Sequence, residues 1–258
     1  MEPNEYTTMA AVELQHWWYG GMRAINAALL NRVFAGRRDL RILDAGCGTG
    51  GDALFLQRYG TVVGLDLAVA AIALARERIP GRLVRGSVLH LPFADQSFDL
   101  VTSFDVLYHR AVIDERQALA EVRRVLRPNG RLLLRLPAYE WLRSHHDRQV
   151  HTRHRYTAGE VTRLLQANGF VIEQLTYALT ILFPLSAAIR LFERVLPANT
   201  GESAMALPSP PINAALRLPM QLEAAYLAHG GRLPFGLSIV ALAQIDHHRS
   251  DGSGQEHK

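Results

Sequence analysis

RILDAGCGTGG, residues 41–51, decides the fold. Ile42, Leu43 and Ala45 supply the apolar run of a short strand, glycines at 46, 48, 50 and 51 then turn the chain tightly, and Asp52 to Tyr59 can take up a helix. A glycine loop at such a junction lets the backbone approach a ligand closely and present N–H groups to it. Outward from this stretch the alternation repeats. VVGLD at 62–66 is a second strand, 68–78 a helix, RLVRG at 82–86 a third strand and DLVTSFD at 99–105 a fourth. DERQALAEVRRVLRP, 114–128, has the apolar spacing of a helix that stops at Pro128, Asn129 and Gly130, and RLLLRL follows as a fifth strand. GFVIEQLTY at 169–177 and GLSIVALAQI at 236–245 make seven strands. Their consecutive apolar residues suit a sheet covered by helices on both faces, an α/β, Rossmann-like fold.

Around this sheet the chain predicts a single domain over 1–245. Residues 1–38 form an N-terminal helical cover, with a helical rhythm over 12–34 that Gly20 and Gly21 break into two pieces. The interval 178–235 reads as a helical lid or insertion, with helices near 180–196 and 212–229 separated by Pro197 and the PSPP run at 208–211. The polar tail 246–258 is expected to be flexible.

Hydrophobic residues make up 48% of the 258, far above the level of a disordered chain. The net charge of +4 and the pI of about 9.5 invite a nucleic-acid reading, but the arginines are spread over many helices rather than gathered in a stripe. Nucleic acid is therefore not the expected partner. The one cysteine, Cys47, excludes an intrachain disulfide and a four-thiolate metal site, and points to a reducing, cytoplasmic setting. The most apolar interval, 170–192, is interrupted by Glu173, Gln174, Pro184 and Arg190, so no transmembrane segment is expected. Oligomeric state is not decided by these features.

Asp66, ending the second strand, can accept hydrogen bonds from both ribose hydroxyls, and with the glycine loop it points to an adenosine-containing cofactor. A P-loop is excluded because no Lys-Ser/Thr pair follows GCGTG. LDAGCGTGG resembles the first motif of the class I S-adenosylmethionine-dependent methyltransferases, in particular their broad small-molecule group, and LHLPFADQSFDLV at 89–101 resembles that group's LPF...SFD segment. The resemblance covers about residues 40–176 and the last strand. It implies a sheet whose last strand is antiparallel, S-adenosyl-L-methionine as cofactor and S-adenosyl-L-homocysteine as product. It further implies that Asp44, Gly46 and Gly48 surround the methionine end, that Asp66 accepts from the ribose, that Val88 and Leu89 flank the adenine, and that Cys47 and Leu67 belong to the same cofactor set. Ser87 stands where many members carry Asp. Phe104, ending the fourth strand, joins the same cofactor set.

HWWYGGMR, residues 16–23, places three rings side by side before an arginine, and similar segments occur in the resembling group. Trp17 is expected to anchor the helix, Trp18 to face the substrate, and Tyr19 and Arg23 to meet the cofactor, Arg23 through its carboxylate; the alternative is an aromatic staple holding the helix to the body. Ligands collect beyond the carboxyl ends of parallel strands, so 104–109 and 137–156 are the expected acceptor loops. Tyr108 and His109 lie in the first, and His109, with an ordinary titration near neutrality, is a candidate base. SHHDRQVHTRHRYT, 144–157, supplies His151 as a second candidate base and His151, Arg155 and Tyr156 for substrate placement. The same segment can equally be a loop-ordering network of salt bridges, and its spacing matches no metal signature. The expected activity is methyl transfer to a small, bulky or partly apolar molecule at oxygen or nitrogen; the alternatives are a noncatalytic cofactor-binding scaffold and a non-methylating enzyme that uses the bound sulfonium to orient or polarise its substrate.

Overall fold

The computed structural model describes residues 3–195 and 206–246. Seven strands form one sheet: β1 (Leu40–Ala45), β2 (Gly60–Asp66), β3 (Leu83–Arg85), β4 (Phe98–Phe104), β5 (Leu126–Pro137), β6 (Phe170–Ala178) and β7 (Ser238–Ile245). Their order is β3-β2-β1-β4-β5-β7-β6. All neighbours run parallel except β7, which lies antiparallel between β5 and β6. The order reverses between β1 and β4, and the carboxyl ends of these two strands open onto the cleft where such sheets bind ligands.

Two buried clusters cover the faces. One joins β4, β5 and β7 side chains such as Val101, Leu134 and Ala241 to Leu119 and Val122 of α5 (Glu115–Val125) and to Val161 and Leu165 of α7 (Ala158–Ala167). The other packs Ile42, Leu100, Leu133 and Val240 against Met22, Ile25 and Leu29 of α2 (Trp17–Phe34) and Met220 and Leu227 of α9 (Pro210–Ala228). Strand residues alternate between these two layers, which is why the strands read as nearly unbroken apolar runs.

Three boundaries differ from expectation for local reasons. The N-terminal helix breaks at 13–15, not at the glycine pair: α1 (Pro3–Val12) ends there, and His16 caps α2 by accepting a hydrogen bond from Trp18 N. Gly20 and Gly21 lie inside α2. A Cβ on Gly21 would sit 2.2 Å from Met220 Sδ, so that glycine serves the close contact with α9. Helix α5 stops at Val125 instead of 128 because Pro128 disfavours helical backbone at Arg127, and Leu126 already pairs with Phe98. Within the interval expected as a lid, α9 packs on α2 as part of the core, whereas α8 (Phe183–Val195) flanks the cleft. Most of the tail expected to be flexible, 247–258, lies outside the described residues. Among the described residues no helix is long and apolar enough to cross a membrane.

Candidate functional site

The glycine loop begins where β1 ends. Gly46 (φ 93°) and Gly48 (φ 52°) hold left-handed backbone, and a Cβ on Gly46 would lie 2.2 Å from Val106 Cγ2. Gly46 N and Cys47 N both donate to Leu65 O (2.7 and 2.9 Å), Gly48 N donates to Asp66 Oδ2 (2.9 Å) and Gly50 N donates to Cys47 O (2.9 Å). The expectation that these N–H groups face a ligand is thus corrected. The first three tie the loop to β2 and Gly50 N closes the loop on itself, so the glycines provide close approach rather than donors.

Helix α1 clasps this loop from outside. Glu13 accepts hydrogen bonds from Thr49 Oγ1 and Arg78, and Arg78 also donates to Thr49 O and Ala10 O (each 2.8 Å). Tyr6 and Met9 of α1 thereby line the cavity above the glycines. The cavity has a volume of about 1680 Å³, well beyond the roughly 300–1,000 Å³ of an ordinary small-molecule site.

At its floor stand two oppositely charged groups. Asp44 is buried; Thr102 Oγ1 donates to its Oδ1 (2.8 Å), while Oδ2 has no hydrogen-bond partner among the described residues. Burial, aided by the nearby charge of Asp52, raises the Asp44 carboxyl to about 7. Arg135, from β5, is also buried; its Nε donates to Asp105 Oδ2 (2.7 Å), Nη2 lies 3.6 Å from Asp52 Oδ2, and Nη1 has no hydrogen-bond partner among the described residues. Its guanidinium lies against the rings of Trp18 and Phe104, 5.0 and 4.8 Å from their centroids. Burial works against the Arg135 charge, but Asp105 and Asp52 together keep it raised.

The residues expected at a cofactor or acceptor separate into two groups. Asp44, Gly46, Cys47, Gly48, Asp66, Leu67, Val88 and Phe104 line the cavity, as do Trp18, Tyr19, Tyr108, His109 and Arg155. Arg23, Leu89, His151 and Tyr156 do not. Arg23 donates to Glu13 O (2.7 Å) and lies 3.9 Å from Asp52, beneath the wall. Leu89 packs into the core. Tyr156 is buried and donates its hydroxyl hydrogen to Glu115. His151 meets His109 ring to ring at 5.6 Å, and its backbone accepts from Arg110 N (3.1 Å). Trp17, expected as an anchor only, also lines the cavity while its N–H donates to Asn213 Oδ1 (2.7 Å).

Titration also differs from expectation. Burial lowers His109 to about 4, so its ring is neutral at pH 7 and a weaker base than an exposed imidazole; its Nδ1 accepts from Ala111 N (3.1 Å). Burial raises the Cys47 thiol and the Tyr108 phenol, leaving both protonated. Segment 143–157 is ordered by its own polar groups. Asp147 accepts from Arg155 Nε (2.9 Å) and Ser144 N (2.8 Å), Arg143 donates to the carbonyls of Thr152 and Arg153 (each 3.0 Å), and Arg153 pairs with Glu115. Among the described residues no group of three His, Cys, Asp or Glu side chains could hold a metal ion.

Asp52 and Arg135 were not singled out by the sequence, and Asp105 entered only as part of the expected acceptor loop 104–109. The available signal for Arg135 is an arginine inside RLLLRL, a strand otherwise apolar on both faces.

S-adenosylmethionine presents an ammonium and a carboxylate at its methionine end and two hydroxyls on its ribose. Asp44 Oδ2 and Arg135 Nη1 are buried groups of matching opposite charge, and Asp66 at the end of β2 keeps lone pairs beyond those taken by Gly48 N and Ala68 N. The residues present therefore fit that cofactor.

The chain is similar to known proteins over part of its length. Residues 43–134 match the family described as Methyltransferase domain. A protein of Mycolicibacterium smegmatis described as a probable S-adenosylmethionine-dependent methyltransferase is 34% identical over 171 residues, 64% of this chain and 64% of the relative. A demethylmenaquinone methyltransferase of Lactiplantibacillus plantarum is 35% identical over 130 residues, 46% of this chain and 50% of the relative. The chain thus spans less than two thirds of the length of these curated relatives. Among solved structures, the YcgJ protein of Bacillus subtilis shares the fold, with a TM-score of 0.55, 22% identity, and coverage of 87% of this chain and 98% of that one.

Proposed function

We propose that the chain is a class I S-adenosylmethionine-dependent methyltransferase and that it methylates a small molecule at a nucleophilic oxygen or nitrogen. The observation that carries this reading is the pair of buried, oppositely charged groups, Asp44 Oδ2 and Arg135 Nη1, left without hydrogen-bond partners among the described residues beside the glycine loop.

When bound, the cofactor supplies a methyl group on a sulfonium, which an acceptor lone pair takes as the sulfur keeps the bonding electrons. In this reading Asp44 holds the ammonium and Arg135 the carboxylate, while Asp66 accepts from the ribose. Ser87 replaces a carboxylate near the adenine and leaves ring binding chiefly to Val88 and its apolar surroundings. Tyr108 and neutral His109 orient the acceptor by hydrogen bonds, and Trp17, Trp18 and Tyr19 keep water from the reacting end. His109 takes a proton only from an acceptor whose own acidity rises on transfer, because burial has lowered its basicity.

Incubation with methyl-labelled S-adenosylmethionine and a metabolite panel, read by mass spectrometry, tests the proposal. A labelled product and S-adenosylhomocysteine in equal amounts are expected. Tight cofactor binding without turnover across the panel would favour a scaffold, and a rearranged substrate with intact cofactor would favour a non-methylating enzyme.

A further inference from the structure

The charges on the cavity wall are sorted by sign. Around the glycine loop the carboxylates among the described lining residues are Glu13, Asp44, Asp52, Asp66 and Asp105, with the guanidinium of Arg135 among them. From residue 143 onward the order reverses. Arg143, Arg148, Arg155 and Arg190 line the cavity with His145, and Asp147 is the one carboxylate among the described lining residues there. Arg155 is committed to Asp147, and Arg190 Nη1 donates to Leu142 O (2.8 Å). Arg148 is exposed on α6 (His145–Gln149), and no side chain among the described residues hydrogen-bonds or ion-pairs with it. The acidic end suits a cationic cofactor; the basic end suits something of opposite charge.

The same end is bordered by apolar surface. Ser186, Ile189 and Arg190 face the cavity from α8, and Ile189 is also half exposed. Leu185, Ile189 and Phe192, at i, i+4 and i+7, form one exposed stripe, with exposures of 58%, 50% and 64%. An apolar track therefore leads from the arginine-lined end of the cavity out along a helix. Space is ample, since the volume exceeds what one cofactor molecule fills.

We propose that the acceptor is an anionic amphiphile, its phosphate or carboxylate head held near Arg148 and Arg190 and its apolar tail laid along Leu185, Ile189 and Phe192. The assignment rests on the methyl-transfer reading for the word acceptor, but the binding site it describes is independent of turnover.

Calorimetric titration of the full chain, with and without S-adenosylhomocysteine, tests it with three probes: octyl phosphate, octyl glucoside below its micelle concentration, and inorganic phosphate. Octyl phosphate should bind at least tenfold more tightly than either of the others. Arg148→Ala should weaken octyl phosphate about tenfold, Arg148→Lys should recover part of that loss, and neither should change S-adenosylhomocysteine affinity. Ile189→Ser should weaken octyl phosphate and leave inorganic phosphate as it was. Equal binding of octyl phosphate and octyl glucoside, or indifference to Arg148→Ala, would overturn the anionic half; equal binding of octyl phosphate and inorganic phosphate would overturn the apolar half. Co-sedimentation with phosphatidylglycerol vesicles, without binding of monomeric octyl phosphate, would overturn the pocket in favour of a membrane contact. Octyl phosphate binding without S-adenosylhomocysteine binding would sink the cofactor reading while sparing this one, and the converse result would do the reverse.

Discussion

Replacing Asp44 with asparagine should make the protein more stable at pH 8 and weaken its hold on the cofactor. The carboxyl is raised from 3.8 to about 7 by burial and by the Asp52 charge, so the folded state retains its proton where the unfolded chain has lost it. The sign follows from linkage: below about pH 4 both states are protonated and no penalty exists; as pH rises through 7 the penalty grows to its full value. At about 1.36 kcal/mol for each pH unit of displacement, the full penalty is about 4 kcal/mol. An asparagine keeps an oxygen to accept from Thr102 Oγ1 but leaves a buried amide N–H₂ unsatisfied, at a cost of about 1–3 kcal/mol. That cost is the same at both pH values. The quantity that tests the reasoning is therefore the change in the stability gap between variant and parent from pH 4 to pH 8, about 4 kcal/mol in favour of the variant, measured by urea unfolding. In the same variant, S-adenosylhomocysteine affinity at pH 8 should fall at least tenfold, as expected for the loss of a charge-assisted hydrogen bond of about 1.5–3 kcal/mol. A gap that is flat with pH would refute the account of Asp44 as a carboxylate strained by burial and relieved by a cation.

Further outcomes follow from other contacts. Gly46→Ala puts a methyl 2.2 Å from Val106 Cγ2 at positive φ, and should cost about 2–3 kcal/mol in stability together with cofactor affinity, by unfolding and calorimetry. Glu223→Ala removes the buried acceptor of Leu179 N and Ile181 N (each 2.8 Å), and should lower stability by about 2–4 kcal/mol in urea titrations. Asp114→Ala uncaps α5 by freeing Arg116 N and Gln117 N, a loss of about 1 kcal/mol visible as a shifted unfolding midpoint. His109, lowered by burial to about 4, destabilises the fold as pH drops from 6.5 towards 4, because the unfolded chain takes up the proton first; His109→Gln should flatten that stretch of the pH–stability curve.

The sheet was legible in the sequence because strands buried on both faces leave an apolar imprint that survives without tertiary information, as in RILDA and RLLLRL. Asp44, Gly46, Gly48 and Asp66 were legible for a related reason: they are close together along the chain, at one strand end or the next. What escaped depends on distant segments meeting. Arg135 takes its character from Asp52, Asp105, Trp18 and Phe104, contributed by α3 (Gly51–Leu56), α2, β4 and the residue following it. Arg23 looked like the cofactor's cation because it follows the aromatic run, yet one helical turn carries it beneath Asp52 and Glu13. Gly21 looked like a helix break because its partner, Met220, lies far along the chain. The histidines of 144–157 drew attention by number, whereas the ordering bonds come from Asp147, Arg143 and Arg155.

The position of β7 has a consequence for biosynthesis. Until residues 238–245 are made, β5 and β6 both lack the strand that pairs with them, so N–H and C=O groups on each are without their partners. The segment that pairs with both comes after α9, the helix that braces Trp17 and Gly21. The aromatic wall and the sheet are thus completed by the same late stretch. A chain cut short before residue 238 would leave both strands without that partner, edges of the kind prone to strand addition and aggregation.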